Sequence, residues 1–232
     1  MRALALLLAL ATPVAAQDTD LELVLLADAS GSIDASEIRL QRQGYAEALT
    51  DPAVLAAIAG TAYGSIAVTY IEWAANQVVV VDWTVIATEA DAAAFAEALL
   101  IPPRQATGRN AIGSALLAGL AAIEGNDVTG WRRVIDFSGD SANNYGGPPI
   151  AEARETVLNA GVTINGLPIL TERPWLLETY EAEIIGGPNS FAIAAESRAT
   201  FVDALRRKLI LEISGLTPAT ETLIAEGPAG IR

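Results

Sequence analysis

Asp28-Ala29-Ser30-Gly31-Ser32 sets one carboxylate and two hydroxyls at alternate positions of a short segment. In a tight turn, alternate side chains point the same way and the three oxygens converge. Gly31 lets the backbone curve closely. Hydroxyls are neutral ligands, so a divalent cation held by them stays electron-poor and seeks a further anionic oxygen from outside. The same residues also suit a plain turn whose Ser and Asp cap the next helix. The apolar run just before them, Leu21 to Asp28, favours the cation reading. A second acid, Asp140, follows another apolar run, Trp131 to Phe137, through Ser138-Gly139.

Composition narrows the chemistry. The chain of 232 residues has no cysteine and no histidine. That excludes zinc sites of the Cys/His kind, cysteine nucleophiles and Ser-His-Asp triads. A metal must then be hard and oxygen-bound: magnesium first, with manganese and calcium as alternatives. Basic residues number 14 against 28 acidic ones, and Lys208 is the one lysine. Such a balance makes nucleic acid and anionic membranes poor partners.

The elements that must position these residues alternate. Leu21–Asp28 reads as a buried parallel strand. Helical spacing follows over Ser36–Thr50. Ser65–Trp73 and Gln77–Ile86, rich in Val, Ile, Thr, Tyr and Trp, form an antiparallel hairpin. Thr88 caps a helix to Leu100, which Pro102 and Pro103 stop. A loop over 104–109 leads into a helix from Asn110 to about Glu124, then the Trp131 strand and a Gly/Pro/Asn-rich loop over 141–149. A helix at Ile150–Ala160, a strand at Val162–Ile169, a helix near Pro174–Ile184, a short strand at Phe191–Ala194 and a helix at Ser197–Ile213 complete the pattern. The expected fold class is α/β: a single doubly wound, mostly parallel sheet with helices on both faces and one antiparallel hairpin strand. Ligands of such sheets bind beyond the C-terminal strand ends, where Asp28 and Asp140 stand.

At this point the sequence resembles the von Willebrand factor type A family. LLADASGS, ending at Ser32, is similar to the family's first strand and Asp-x-Ser-x-Ser motif. Asn110-Ala-Ile-Gly-Ser-Ala-Leu116 is similar to its second motif, and Ile135-Asp-Phe-Ser-Gly-Asp140 to its third. More narrowly, Gln41-Arg-Gln-Gly-Tyr45, Gly161-Val-Thr-Ile-Asn-Gly-Leu-Pro168 and Arg206-Arg-Lys-Leu-Ile-Leu-Glu212 resemble an exported bacterial branch catalogued as a domain of unknown function. The wider resemblance implies a metal-ion-dependent adhesion site. Asp28, Ser30, Ser32 and Asp140 match it, and a partner's Glu or Asp completes the shell. Asn110 stands where the family has Thr. An Asn oxygen can bind a hard cation but reaches one bond further. Thr107 serves instead if the loop register slips; the spacing to Ala115 and Leu116 favours Asn110.

Other residues have two readings each. Asn143, Asn144 and Tyr145 lie on a loop expected to overhang the site and touch a partner, or simply to be a solvated turn. Arg109 either steers an incoming carboxylate or is a surface arginine. Asp136, inside an apolar strand, orients the site or, the favoured reading, pairs with Arg132 or Arg133. Ser141 has no evident base, with histidine absent and Lys208 on a distant helix.

The first 16 residues, MRALALLLALATPVAA, carry one charge at Arg2, a short apolar run and small residues before Gln17. They read as a secretory signal peptide cut after Ala16, too short to span a bilayer. Loss of Arg2 would leave 13 basic and 28 acidic residues. The domain then covers 17–215 and a loose tail 216–232. No later segment reads as a transmembrane anchor. The leading function is a non-catalytic binding module in the periplasm or outside the cell. A metal- or carboxylate-dependent hydrolase, and a scaffold with a vestigial metal site, are the alternatives. The sequence sets no oligomeric state.

Overall fold

Parallel strands buried on both faces need helices on both faces, and the computed structural model has that arrangement. It describes residues 17–171, 173–197 and 199–219. The expected signal peptide and the tail from 220 onward lie outside them.

Five strands form one sheet: β1 (Gln17–Asp28), β2 (Ile66–Trp73), β3 (Gln77–Ile86), β4 (Val128–Gly139) and β5 (Thr163–Pro168). Their order is β3-β2-β1-β4-β5. All neighbours run parallel except β3, which returns antiparallel on β2 as the hairpin requires. One face packs on α1 (Ala35–Leu49), α2 (Pro52–Ala59), α3 (Glu89–Leu100) and α7 (Phe201–Ser214), around Leu23, Leu25, Tyr45, Tyr70 and Leu205. The other packs on α4 (Ile112–Glu124), α5 (Ile150–Asn159) and α6 (Leu176–Thr179), around Leu26, Trp73, Leu116 and Phe137. A π-helical turn at Tyr180–Ile184 continues α6.

Local chemistry explains the boundaries. Asp34 and Glu37 form a capping box that starts α1, and Thr88 with Asp91 forms another that starts α3. Pro52 sits at the first turn of α2, where its missing N–H costs nothing. This helix was not legible in the sequence, being short and apolar nearly all round. Helix α4 begins at Ile112, two residues later than the spacing indicates. The strand expected at Phe191–Ala194 does not form. Its segment makes only isolated bridges beside β5, Ala192 with Gly166 and Ala195 with Ile169. Leu216, assigned to a loose tail, packs against the core, and its N–H donates to Leu211 O at 3.0 Å.

The chain moves outward from β1 to β2 and β3, then crosses back to β4 on the other side. The switch in strand order therefore falls between β1 and β4, and a crevice opens at their C-terminal ends.

Candidate metal centre

Strand β1 delivers Asp28 to that crevice, and β4 delivers Asp140. The two strands are parallel and in register, Ala27 opposite Ser138. Asp28 Oδ1 accepts the Ser30 N–H at 2.7 Å, which folds the turn after β1. Ser30 Oγ then lies 3.2 Å from Ser32 Oγ, and Ser32 Oγ donates to Asp140 Oδ1 at 3.0 Å. Gly139 is needed for this approach: a Cβ there would meet Asp28 Oδ2 at 2.9 Å.

The residues fit a hard cation on three counts. Two oxygens on neighbouring corners of an octahedral magnesium shell sit about 3 Å apart, the spacing of Ser30, Ser32 and Asp140 here. Asp28 is fully buried, and its Oδ2 has no hydrogen-bond partner. Burial pushes its carboxyl up to about 7, against the pull of the Ser30 hydrogen bonds. A cation would hold it ionised. Finally, buried Asn110 carries an unpartnered Nδ2, and a half-turn of the amide exchanges its N and O. Thr107 is exposed, with its N–H donated to Asn76 Oδ1 at 2.9 Å. Among the described residues no group of three or more Asp, Glu, His or Cys is placed to hold a metal ion. The candidate shell is instead two acids, two hydroxyls and an amide.

Sequence reasoning missed what holds the Asn110 loop. Gly31 N–H donates to Gly108 O at 2.8 Å, joining the two loops. Arg104 donates to Ser30 O at 2.6 Å and Ile33 O at 2.8 Å, and also to Ala29 O. Buried Arg42 pairs with buried Glu72 at 2.6 Å. Glu72 Oε2 accepts the N–H groups of Gln105 and Ala106 at 2.6 and 3.2 Å. Such pairings join α1, β2 and a loop far apart in sequence, so no local pattern announces them.

The loop over 141–149 is partly tied down. Asn144 Oδ1 accepts from Gly113 N–H at 3.3 Å, and its Nδ2 donates to Pro148 O at 2.8 Å, tying the loop to the start of α4. Asn143 is exposed. Tyr145 is 54% exposed, and the Arg109 guanidinium lies 3.8 Å from its ring centroid. A different arginine borders the acids. Arg173 Nη1 donates to Asp140 O at 2.6 Å and lies 3.6 Å from Asp140 Oδ2.

Asp136 corrects the sequence reading. Its partner is Lys208 on α7, at 2.7 Å, not Arg132 or Arg133. Arg132 donates to Ile213 O at 2.6 Å and to Glu212 O, and Arg133 to Ala160 O. Lys208 also pairs with Glu212, and all three side chains are fully buried.

This sheet order, with an Asp-x-Ser-x-Ser turn at the switch point, defines a von Willebrand factor type A-like domain. The chain belongs to the family described as Protein of unknown function (DUF1194), whose model matches residues 18–217. No curated protein matches the sequence. Solved structures share the fold. Proximal thread matrix protein 1 from the mussel byssus is 16% identical with a TM-score of 0.60, over 86% of this chain and 46% of its own. A von Willebrand factor type A protein of Catenulispora acidiphila is 16% identical with a TM-score of 0.60, over 84% and 43%. The von Willebrand domain of a type V pilus tip protein of Porphyromonas gingivalis is 10% identical with a TM-score of 0.58, over 86% and 97%. The chain thus spans less than half the length of the first two. The byssus protein is also known with its adhesion-site motif occupied by zinc.

Proposed function

We propose that the domain is a non-catalytic adhesion module that binds a divalent cation, magnesium by preference, and through it a Glu or Asp carboxylate of a protein partner. The observation that carries this is the run Ser30–Ser32–Asp140 at 3.2 and 3.0 Å beside the unpartnered, buried Asp28 Oδ2. Asp28, Ser30, Ser32, Asn110 and Asp140 would hold the cation. Bound there, it would supply an open coordination position for an outside anion. The zinc-occupied motif of the byssus protein supports the same reading by likeness of fold. Binding is favoured over catalysis because the hydroxyl beside Asp140 lacks a base. Ser141 is buried, its Oγ accepts from Asn143 N–H at 3.1 Å, and Lys208 is paired twice within the core. The proposed setting, periplasmic or secreted, rests on the first 16 residues. Among the described residues no helix is long and apolar enough to cross a membrane.

The test is thermal unfolding during titration with magnesium, manganese and calcium. A ligand that binds only the folded state stabilises it by about 2.7 kcal/mol at a hundredfold excess over Kd. Asp28→Ala and Ser30→Ala should each remove most of the shift and keep the fold. A wild-type protein indifferent to millimolar cation of all three kinds would make the site vestigial.

A further inference from the structure

A cavity of about 140 Å³ adjoins the candidate metal centre. Ser32 and Asp140 form one side of it, so the proposed cation would lie at its edge. The rest of the lining is mostly apolar, with Ile33, Leu40, Ile169 and Phe201, and the half-buried Glu37 of the α1 capping box stands on it as well. Thr171, exposed, and Arg173, half-buried, stand on the same lining. A site of about 150 Å³ walled by such residues accepts a benzene-sized group. The space therefore suits one Leu, Met or Phe side chain.

Gln41 adds an independent observation. It lines the same cavity, is only 3% exposed, and its Oε1 has no partner. Its Nε2 donates to Asp28 O at 3.0 Å, which fixes which end of the amide carries the oxygen. A buried acceptor left open in this way costs free energy unless something donates to it. A cavity that joins apolar walls, one free acceptor and an anion-seeking edge matches polypeptide. Polypeptide offers an apolar side chain, a backbone N–H and an acidic side chain within a few ångströms.

We infer that this cavity is the specificity pocket of the adhesion site. It takes a large apolar side chain of the partner within two residues of the carboxylate; Gln41 Oε1, buried at rest, accepts a backbone N–H of that segment once the pocket opens around it. Consecutive Cα atoms are 3.8 Å apart, so a longer separation would carry the side chain past the cavity. The inference rests on the proposed metal-dependent binding, and its test keeps the two apart.

The experiment is selection of random displayed hexapeptides on the full folded domain in millimolar magnesium, followed by affinity measurement on synthetic versions. Selected peptides should pair Asp or Glu with Leu, Met or Phe one or two positions away. Replacing that apolar residue by Ala should weaken binding roughly tenfold or more, the yield of burying one such side chain. Thr171→Trp, which fills the cavity from its exposed side, should weaken it similarly and leave the magnesium-induced thermal shift unchanged. Gln41→Met should cost less and give the same direction. Peptides that need an acid and magnesium but show no apolar preference, or that ignore Thr171→Trp, would overturn the pocket and leave the metal reading standing. Peptides that survive chelator, or a library that yields no metal-dependent binder, would overturn both.

Discussion

Strand β4 carries Asp136 and leads directly into Asp140, four residues on, and each meets a second acid in space. Asp136 meets Glu212 beneath the sheet, while Asp140 meets Asp28 at its end. The first pair is closed from within. Lys208 Nζ lies 2.7 Å from Asp136 Oδ1 and also bonds Glu212, whose Oε1 accepts from Asn165 Nδ2 at 2.9 Å. Among the described residues the second pair has no buried cation beside it. Arg173 touches it only from the rim, 3.6 Å from Asp140 Oδ2. Two carboxylates brought together are relieved by a positive charge or by a proton on one of them. Where the chain supplies the charge, the pair is closed within the core; where it does not, the pair is left to a proton or to a cation from outside.

The largest expected effect tests the closed pair. Lys208→Met leaves two buried acids without a counter-charge and should cost about 3–5 kcal/mol of stability at pH 7 to 8. Burial already pushes both acids up, Glu212 to about 7, against the ammonium's pull. The loss should therefore shrink on acidification, as both carboxyls take up protons. Urea unfolding measures it, and a cost below about 1 kcal/mol would mean the cluster is not the sealed unit described.

The open pair should respond to pH in the opposite company. Asp28 is raised in the folded protein from 3.8 to about 7, so the folded state holds a proton that the unfolded state has lost. Cation-free stability should fall as pH rises from about 4 to about 7, with Glu212 adding in the same direction. Magnesium should restore stability near pH 8 and do progressively less below pH 7, where protons compete for Asp28. Asp28→Asn should raise cation-free stability at pH 8 by about 2 kcal/mol and abolish the magnesium response. Melting curves across pH, with chelator or magnesium, would break the contrast if wild type and Asp28→Asn ran parallel.

A smaller effect concerns the amide. Asn110→Ala should weaken the magnesium response several-fold, Asn110→Thr should keep or strengthen it, and Thr107→Ala should leave it nearly unchanged. A strong loss at Thr107 with none at Asn110 would reassign the ligand.

The smallest effect is that of salt. A chain with 14 basic and 28 acidic residues repels another acidic surface at long range. Once a partner is in hand, chelator should abolish binding, while moderate salt should leave it intact or strengthen it slightly by screening. Steep weakening with salt, measured by calorimetry, would place the contact away from the metal centre.

Much of the fold was written locally. Alternation of apolar runs with helical spacing set the sheet, and Thr88, Pro102 and Pro103 marked the ends of α3. The Asp28 turn was legible because its three oxygens lie within five residues of chain. What failed was non-local. Phe191–Ala194 has strand-like residues yet lies beside β5 with isolated bridges, since extended pairing depends on a neighbour and not on composition.

The sequence by itself determined that any metal site must be built from oxygen donors and amides, by lacking cysteine and histidine, and that Asp28 ends one apolar run while Asp140 follows another. It also held, without explanation, the three segments that carry the narrow resemblance. Only the tertiary structure gave them a physical role: Arg42, Tyr45, Asn165, Lys208 and Glu212 from those segments are buried polar groups. Their partners come from distant parts of the chain, as when Arg42 of α1 meets Glu72 of β2 and Asn165 of β5 meets Glu212 of α7. Spacing along a chain fixes which side chains share a face. Which charge is neutralised, and by what, is decided when those faces close against each other.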